Sequence, residues 1–193
     1  MSIMYKSIKI TRIPLLTMLF FSFLFFSFAG LDAAGWESLG PLGGTPWTIA
    51  FSPSFEQDGN IFIGTNKGIY KSIDKGKSWR QSTNGIGRKL VPTIKISPNF
   101  KSDETLFVGT SKGELFVSHD AGEKWNMVFK GPELRSNSSM TSSSLEAISI
   151  SPNFSEDNTV FIGVFGGYVY RSIDRGASWE KFNKGLDSKY ILA

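Results

Sequence analysis

Three stretches of this chain repeat one another, and that repetition constrains the fold more than any other feature. "FSPSFEQDGNIFIGTNKGIYKSIDKGKSW" (51–79) aligns with "ISPNFKSDETLFVGTSKGELFVSHDAGEKW" (96–125) and with "ISPNFSEDNTVFIGVFGGYVYRSIDRGASW" (150–179). Ser52, Ser97 and Ser151 open each Ser-Pro-x-Phe, so the periods are 45 and 54 residues. The second is longer because a Ser-rich insertion, "RSNSSMTSSS" (135–144), precedes the third copy.

Within each copy the pattern is that of strands. "TIAFS", "NIFIGT" and "GIYKS" are short, rich in Ile, Phe and Tyr, and separated by Pro, Asp-Gly or Lys-Gly turns. "SWRQS" supplies a fourth strand after the acidic motif, and no stretch keeps a helical apolar period. Four short strands in about 45 residues make one β-propeller blade, which needs a neighbour on each face to bury its apolar residues. The fold class expected is therefore all-β. It comprises three four-stranded repeats at about 47–82, 92–129 and 146–182 with partial units at both ends, an incomplete ring.

"SIDKGKSW" (72–79) and "SIDRGASW" (172–179) carry the same acidic motif, with "SHDAGEKW" (118–125) between them. The motif residues are Ser72, Asp74, Gly76 and Trp79; Ser118, Asp120, Gly122 and Trp125; Ser172, Asp174, Gly176 and Trp179. Asp followed two positions later by Gly predicts a tight turn, with Asp bonding its own backbone two residues on and Gly taking a positive φ. The Trp at the start of the fourth strand is placed to fill the gap beneath that turn. A catalytic group is needed once, not once per repeat, so these carboxylates read as structural. Asp58, Asp103 and Asp157, six residues after each repeat's serine, read as turn formers for the same reason.

These motifs resemble the Asp-box, or bacterial neuraminidase repeat, family, whose pattern is Ser-x-Asp-x-Gly-x-Ser/Thr-Trp. The first and third copies match in full, and the second departs with Lys124 in place of Ser or Thr. The resemblance covers Trp36 to the end, implies sialidase-like or sortilin-like propeller blades, and places the motif at the propeller's edge, away from the pocket. Sialidases and xyloglucanases share the repeat, which makes a glycoside hydrolase the enzymatic alternative. The Arg-Ile-Pro signature of sialidases occurs at Arg12–Pro14, inside the N-terminal leader, where it reads as coincidence.

That leader has Lys6, Lys9 and Arg12 ahead of an uncharged run from Ile13 to Gly30, with small residues at Ser27 and Ala29. It reads as a secretory signal, residues 1–29, with an uncleaved anchor as the alternative. Either way the remainder is expected outside the cytoplasm: periplasmic, extracellular or anchored on the outer side. The formal charge of +4 includes three basic residues of the leader, so the remainder carries 18 − 17 = +1 and offers no basic footprint for nucleic acid. With no Cys and one His, neither a thiol nucleophile, a Ser-His-Asp arrangement nor a zinc site is expected, and no cofactor is expected. His119 stands where Ile73 and Ile173 stand in the other copies, a poor position for acid–base work.

Once the repeat is subtracted, a few residues depart from it and are the expected ligand contacts: Arg80, Arg88, Glu133, Arg135, Phe165 and Tyr168. Phe165 and Tyr168 replace the Lys-Gly turn of the other copies. At the ends, Trp36 matches the motif tryptophans and residues 187–193 begin to repeat the first strand. The expectation is an array completed by further blades or by self-association. Its expected role is that of a binding or scaffold module for a glycan or a protein. The alternatives are a fragment of a glycoside hydrolase or a truncated product without activity of its own.

Overall fold

The computed structural model describes residues 40–41, 43–132, 143–166 and 168–186. The leader, Trp36, Glu133, Arg135 and the segment 187–193 lie outside the described residues. Among the described residues, twelve strands form three four-stranded sheets, each an antiparallel meander in chain order. Sheet 1 holds β1 (Pro46–Phe51), β2 (Ile61–Thr65), β3 (Gly68–Ser72) and β4 (Arg80–Gln81). Sheet 2 holds β5 (Thr93–Ile96), β6 (Leu106–Gly109), β7 (Glu114–Ser118) and β8 (Asn126–Lys130). Sheet 3 holds β9 (Leu145–Ile150), β10 (Val160–Val164), β11 (Tyr168–Ser172) and β12 (Glu180–Lys181). The described sheets form no closed ring.

The repeat explains this order. Its second strand is apolar on both faces, as a strand covered on both sides must be. Accordingly all five residues of β2 and all four of β6 are buried. Phe62, Ile94, Phe100, Leu106, Val108 and Phe116 meet in a core between sheets 1 and 2. Phe107, Leu115, Val117, Ile148, Phe154 and Ile162 do the same between sheets 2 and 3. The equivalent phenylalanines pair edge to face in both: Phe62 with Phe100, and Phe107 with Phe154.

Neighbouring sheets are also tied by their backbones. The N–H of Val91 donates to Thr65 O at 3.0 Å, and that of Leu145 donates to Thr110 O at 3.1 Å. This approach requires glycine on the second strand: a Cβ on Gly109 would stand 2.8 Å from Leu145 O, and one on Gly64 2.6 Å from Val91 O.

One local feature departs from the sequence reading. Ser-Pro-x-Phe does not lead into a simple turn but into a single helical turn: α1 (Phe55–Asp58), α2 (Phe100–Asp103) and α3 (Phe154–Asp157). Four residues are too few to show a helical apolar period. Each helical turn is held by the serine ahead of it and the aspartate at its end. Ser52 Oγ donates to Asp58 at 2.6 Å, Ser97 Oγ to Asp103 at 2.6 Å, and Ser151 Oγ to Asp157 at 2.5 Å. The other carboxylate oxygen accepts from a backbone N–H two residues on, at 2.9 Å from Asn60, 3.0 Å from Thr105 and 2.8 Å from Thr159.

Candidate functional site

The acidic motif links the third and fourth strands of every sheet. Its serine ends β3, β7 or β11, and its tryptophan stands just before β4, β8 or β12. Ser72 Oγ donates to Asp74 Oδ1 at 2.8 Å and accepts from Gly76 N at 2.9 Å. Asp74 Oδ1 accepts from Ser78 N at 2.8 Å, and Oδ2 accepts from Ser78 Oγ at 2.5 Å. Ser172, Asp174, Gly176 and Ser178 reproduce the set at 2.7, 2.8, 2.9 and 2.5 Å. The aspartate therefore bonds four residues ahead rather than two, because the serine hydroxyl already caps the glycine N–H. The two-residue bond expected here belongs instead to Asp58, Asp103 and Asp157.

Positive φ extends beyond the glycine of the motif. Lys75, Ala121 and Arg175 take φ of 61°, 52° and 61°. Their N–H groups donate to Gly59 O, Glu104 O and Asn158 O, which docks each acidic turn on the helical turn of its own sheet.

Ser78 first, through its hydroxyl and its N–H, and then Ser72 hold the Asp74 carboxyl down at about 2. Ser178 and Ser172 hold Asp174 at about 2 in the same way. At Asp120, burial pushes upward and is outweighed by Ser118 and the N–H groups of Lys124 and Glu123, so the net shift is downward. A carboxylate held in this way is a poor proton donor near neutral pH. The tryptophans divide. Trp79 and Trp179 are half-buried, with Nε1 donating to Gly76 O and Gly176 O at 3.0 Å. Trp125 is 2 % exposed and crosses to sheet 1, where its indole N–H meets Ser82 O and Ser82 Oγ, each at 3.1 Å.

The residues that distinguish one part of the array from another lie between sheets. At the first junction Lys71, only 5 % exposed, extends from β3 to the acidic turn of sheet 2. Its Nζ donates to Ala121 O at 2.7 Å and to Glu123 Oε1 at 3.2 Å. Arg80 pairs with the same Glu123 through both terminal nitrogens. Arg80 first and then Lys71 pull the Glu123 carboxyl down to about 2, against the opposing effect of burial. At the second junction the equivalent positions carry Val117, Ala177 and Asn126 in place of Lys71, Glu123 and Arg80. There the ion cluster gives way to an open cleft of about 570 Å³, lined by Asp103, Val117, His119, Asn126, Asp174 and Arg175 among others.

Four of the expected ligand contacts, Arg80, Arg88, Phe165 and Tyr168, are among the described residues, and they occupy separate places. Arg80 is engaged in the ion cluster. Arg88 is exposed in the segment between sheets 1 and 2. Phe165 is half-buried in the β10–β11 turn, its N–H on Ser144 O at 2.8 Å. Tyr168 holds φ at 102° where Gly68 holds 104° in sheet 1, and Lys181 Nζ lies 3.3 Å from its ring centre. His119 is exposed at the cleft, with Nδ1 3.1 Å from Thr105 Oγ1. The sequence reading passed over Lys71 and Glu123, although a lysine at a strand position that is Val in the next copy was a visible signal.

Stacked four-stranded antiparallel meanders of this kind are β-propeller blades. Solved structures agree. An ancestral GH74 enzyme is 22 % identical over 74 % of this chain and 19 % of its own, with a TM-score of 0.58. The GH74 xyloglucanase from Xanthomonas campestris is 18 % identical over 71 % of this chain and 21 % of its own, with a TM-score of 0.55. The extracellular domain of a one-component system from B. thetaiotaomicron is 11 % identical over 76 % and 18 %, with a TM-score of 0.52. The chain thus spans about a fifth of the length of each of these proteins, and at such identities the likeness is one of fold. No protein-family model matches the sequence, and no curated protein does either.

Proposed function

We propose that this chain is part of an exported Asp-box β-propeller that acts as a binding or scaffold module for a glycan or a protein. One observation carries this reading: the carboxylates that recur in every blade are engaged in intrablade hydrogen bonds. Asp58, Asp103, Asp157, Asp74, Asp120 and Asp174 each accept from at least one hydroxyl and one backbone N–H. The motif residues from Ser72 to Trp179 act as turn anchors in this reading. The surface that varies between blades is left to recognise a ligand. Export rests on the leader at 1–29 and is supported by the extracellular domain among the structural relatives.

The second reading, a fragment of a glycoside hydrolase, is favoured by the GH74 enzymes among those relatives. Glycoside hydrolysis needs two carboxyl groups across one scissile bond, and in that case the pair is to be sought among carboxylates other than these six aspartates. A glycan array and a pull-down from the native secretome test the first reading; release of reducing ends from xyloglucan, or turnover of a fluorogenic sialoside, tests the second. Binding without turnover is the expected result, and turnover abolished by mutating a carboxylate of this chain would replace the module reading with the enzymatic one.

A further inference from the structure

The first junction supplies a template for reading the cleft at the second. There the Lys71 ammonium occupies a defined position: 2.7 Å from the Ala121 carbonyl, and 5.7 Å from the centre of the Phe62 ring. At the second junction the matching carbonyl is that of Arg175, and the matching ring is that of Phe107, packed beneath Gly176. Val117 is too short to reach that carbonyl, and among the described residues no hydrogen bond arrives there. The cleft of about 570 Å³ opens beside the position from which the lysine would extend, and its lining includes Val117, Val128, Asp103 and Asp174.

We propose that this cleft binds a primary alkylammonium group, the head of a lysine side chain or of a small amine, in the position that Lys71 holds at the first junction. The aliphatic stem lies along Val117 and Val128, and the ammonium donates to the Arg175 carbonyl. Among the charged side chains lining the cleft the two aspartates outnumber the Arg175 guanidinium, a balance of one negative charge that suits a cation. The Arg175 side chain does not compete for the space, because its Nε donates to Asn158 Oδ1 at 2.7 Å and its guanidinium lies 5.7 Å from the Phe154 ring. A single carbonyl flanked by separate acceptors suits three rotatable N–H donors better than a rigid planar fork, so the class is ammonium rather than guanidinium. The identity of the amine's source rests on the module reading above; the chemistry of the cleft does not.

The test is an amide-shift titration of the ¹⁵N-labelled full chain with n-butylammonium, with n-butanol as the neutral control, and in a second arm with a lysine-bearing peptide. Saturable shifts at Val117, Asn126 and Arg175–Ala177 with butylammonium, absent with butanol, are expected. Val117→Lys fills the position from within and should abolish them. Ala177→Glu, which restores the counterpart of Glu123, should tighten binding about twofold to fivefold and serves as the test should Val117→Lys not fold. Tighter binding of the peptide than of butylammonium supports the proposal with the amine on a partner chain, and equal affinity supports it with a small amine. Equal shifts with butanol, or binding unchanged in either variant, would overturn it. A blank here beside a positive glycan array removes the cleft and leaves the module; the reverse result separates them in the other direction.

Discussion

The two junctions between neighbouring blades use the same backbone and the same apolar positions, yet one is closed by charge and the other is open. At the first, Lys71, Arg80 and Glu123 bridge the outer half of the junction; at the second, Val117, Asn126 and Ala177 leave a cleft. The inner half is alike in both, with paired phenylalanines and a backbone bond from the start of the next blade. The outer half of the second junction keeps an aromatic contact instead, Phe129 of sheet 2 against Tyr170 and Trp179 of sheet 3, so a repeat array can hold its blades without the ion cluster and leave that part free to vary. Stability in such arrays is close to a sum over blades and junctions, so a hollow in one junction need not weaken another.

The largest test of this comparison is Trp125. It is the motif tryptophan that spans the first junction, and a loop closes tightly over it: a Cβ on Gly85, at φ +88°, would stand 2.1 Å from Trp125 O. Trp125→Ala is expected to cost about 3–5 kcal/mol, as for other buried aromatic truncations. Trp179→Ala, at a half-buried ring bonded within its own turn, should cost clearly less. Urea unfolding of both variants measures the gap, and equal losses would show that the first junction is not the tighter one.

Glu123 comes next. Glu123→Gln removes the charge that Lys71 and Arg80 share and leaves a buried ammonium without a counter-charge, which should cost ~1–2 kcal/mol because Glu123 itself is half exposed. Adding Lys71→Met should recover most of that loss, since a well-packed apolar residue often replaces a buried ion pair without penalty. The same cluster has a pH signature. The Glu123 carboxyl is held at about 2 in the folded chain and returns to about 4.3 when unfolded. Its contribution is thus complete above the unfolded value and is lost as pH falls through the folded one. Asp74 and Asp174 share this direction, so the cluster's part is the difference between the native chain and Glu123→Gln in stability between about pH 4 and pH 2. Parallel curves would remove the cluster from the comparison.

How much of this was legible in the sequence follows from what repeats. The three sheets and the turn at each acidic motif were readable because alternation and turn residues recur in register. The helical turns after Ser-Pro-x-Phe were not, since four residues carry no period and their bonds join side chains six apart, as in Ser52 and Asp58. The junctions were least legible. Lys71 and Glu123 are 52 residues apart, and only the stacking of two sheets brings them together. Arg80 stood out by departing from the repeat, but what it departs toward is Glu123. Tyr168 stood out likewise, and the structure adds that it holds a glycine-like φ, a strained position for a tyrosine.

The smallest effect concerns the one motif that departs from the pattern and sits between the two junctions. In the first and third blades the second carboxylate oxygen of the motif aspartate accepts from Ser78 or Ser178 at 2.5 Å. Lys124 stands at that position in the second blade, so Asp120 takes the Lys124 N–H at 3.0 Å and the Glu123 N–H at 3.1 Å but no hydroxyl there. Lys124→Ser restores the missing donor. It should stabilise the chain by about 0.5–1 kcal/mol, the value of one added hydrogen bond at an accessible site, and lower the Asp120 carboxyl further, as read by its ¹³C titration. Because Asp120 and Glu123 belong to one turn, the gain should shrink when Glu123→Gln is present if the turn and the ion cluster support each other. Full additivity would mean that the acidic turn holds its blade without help from the junction.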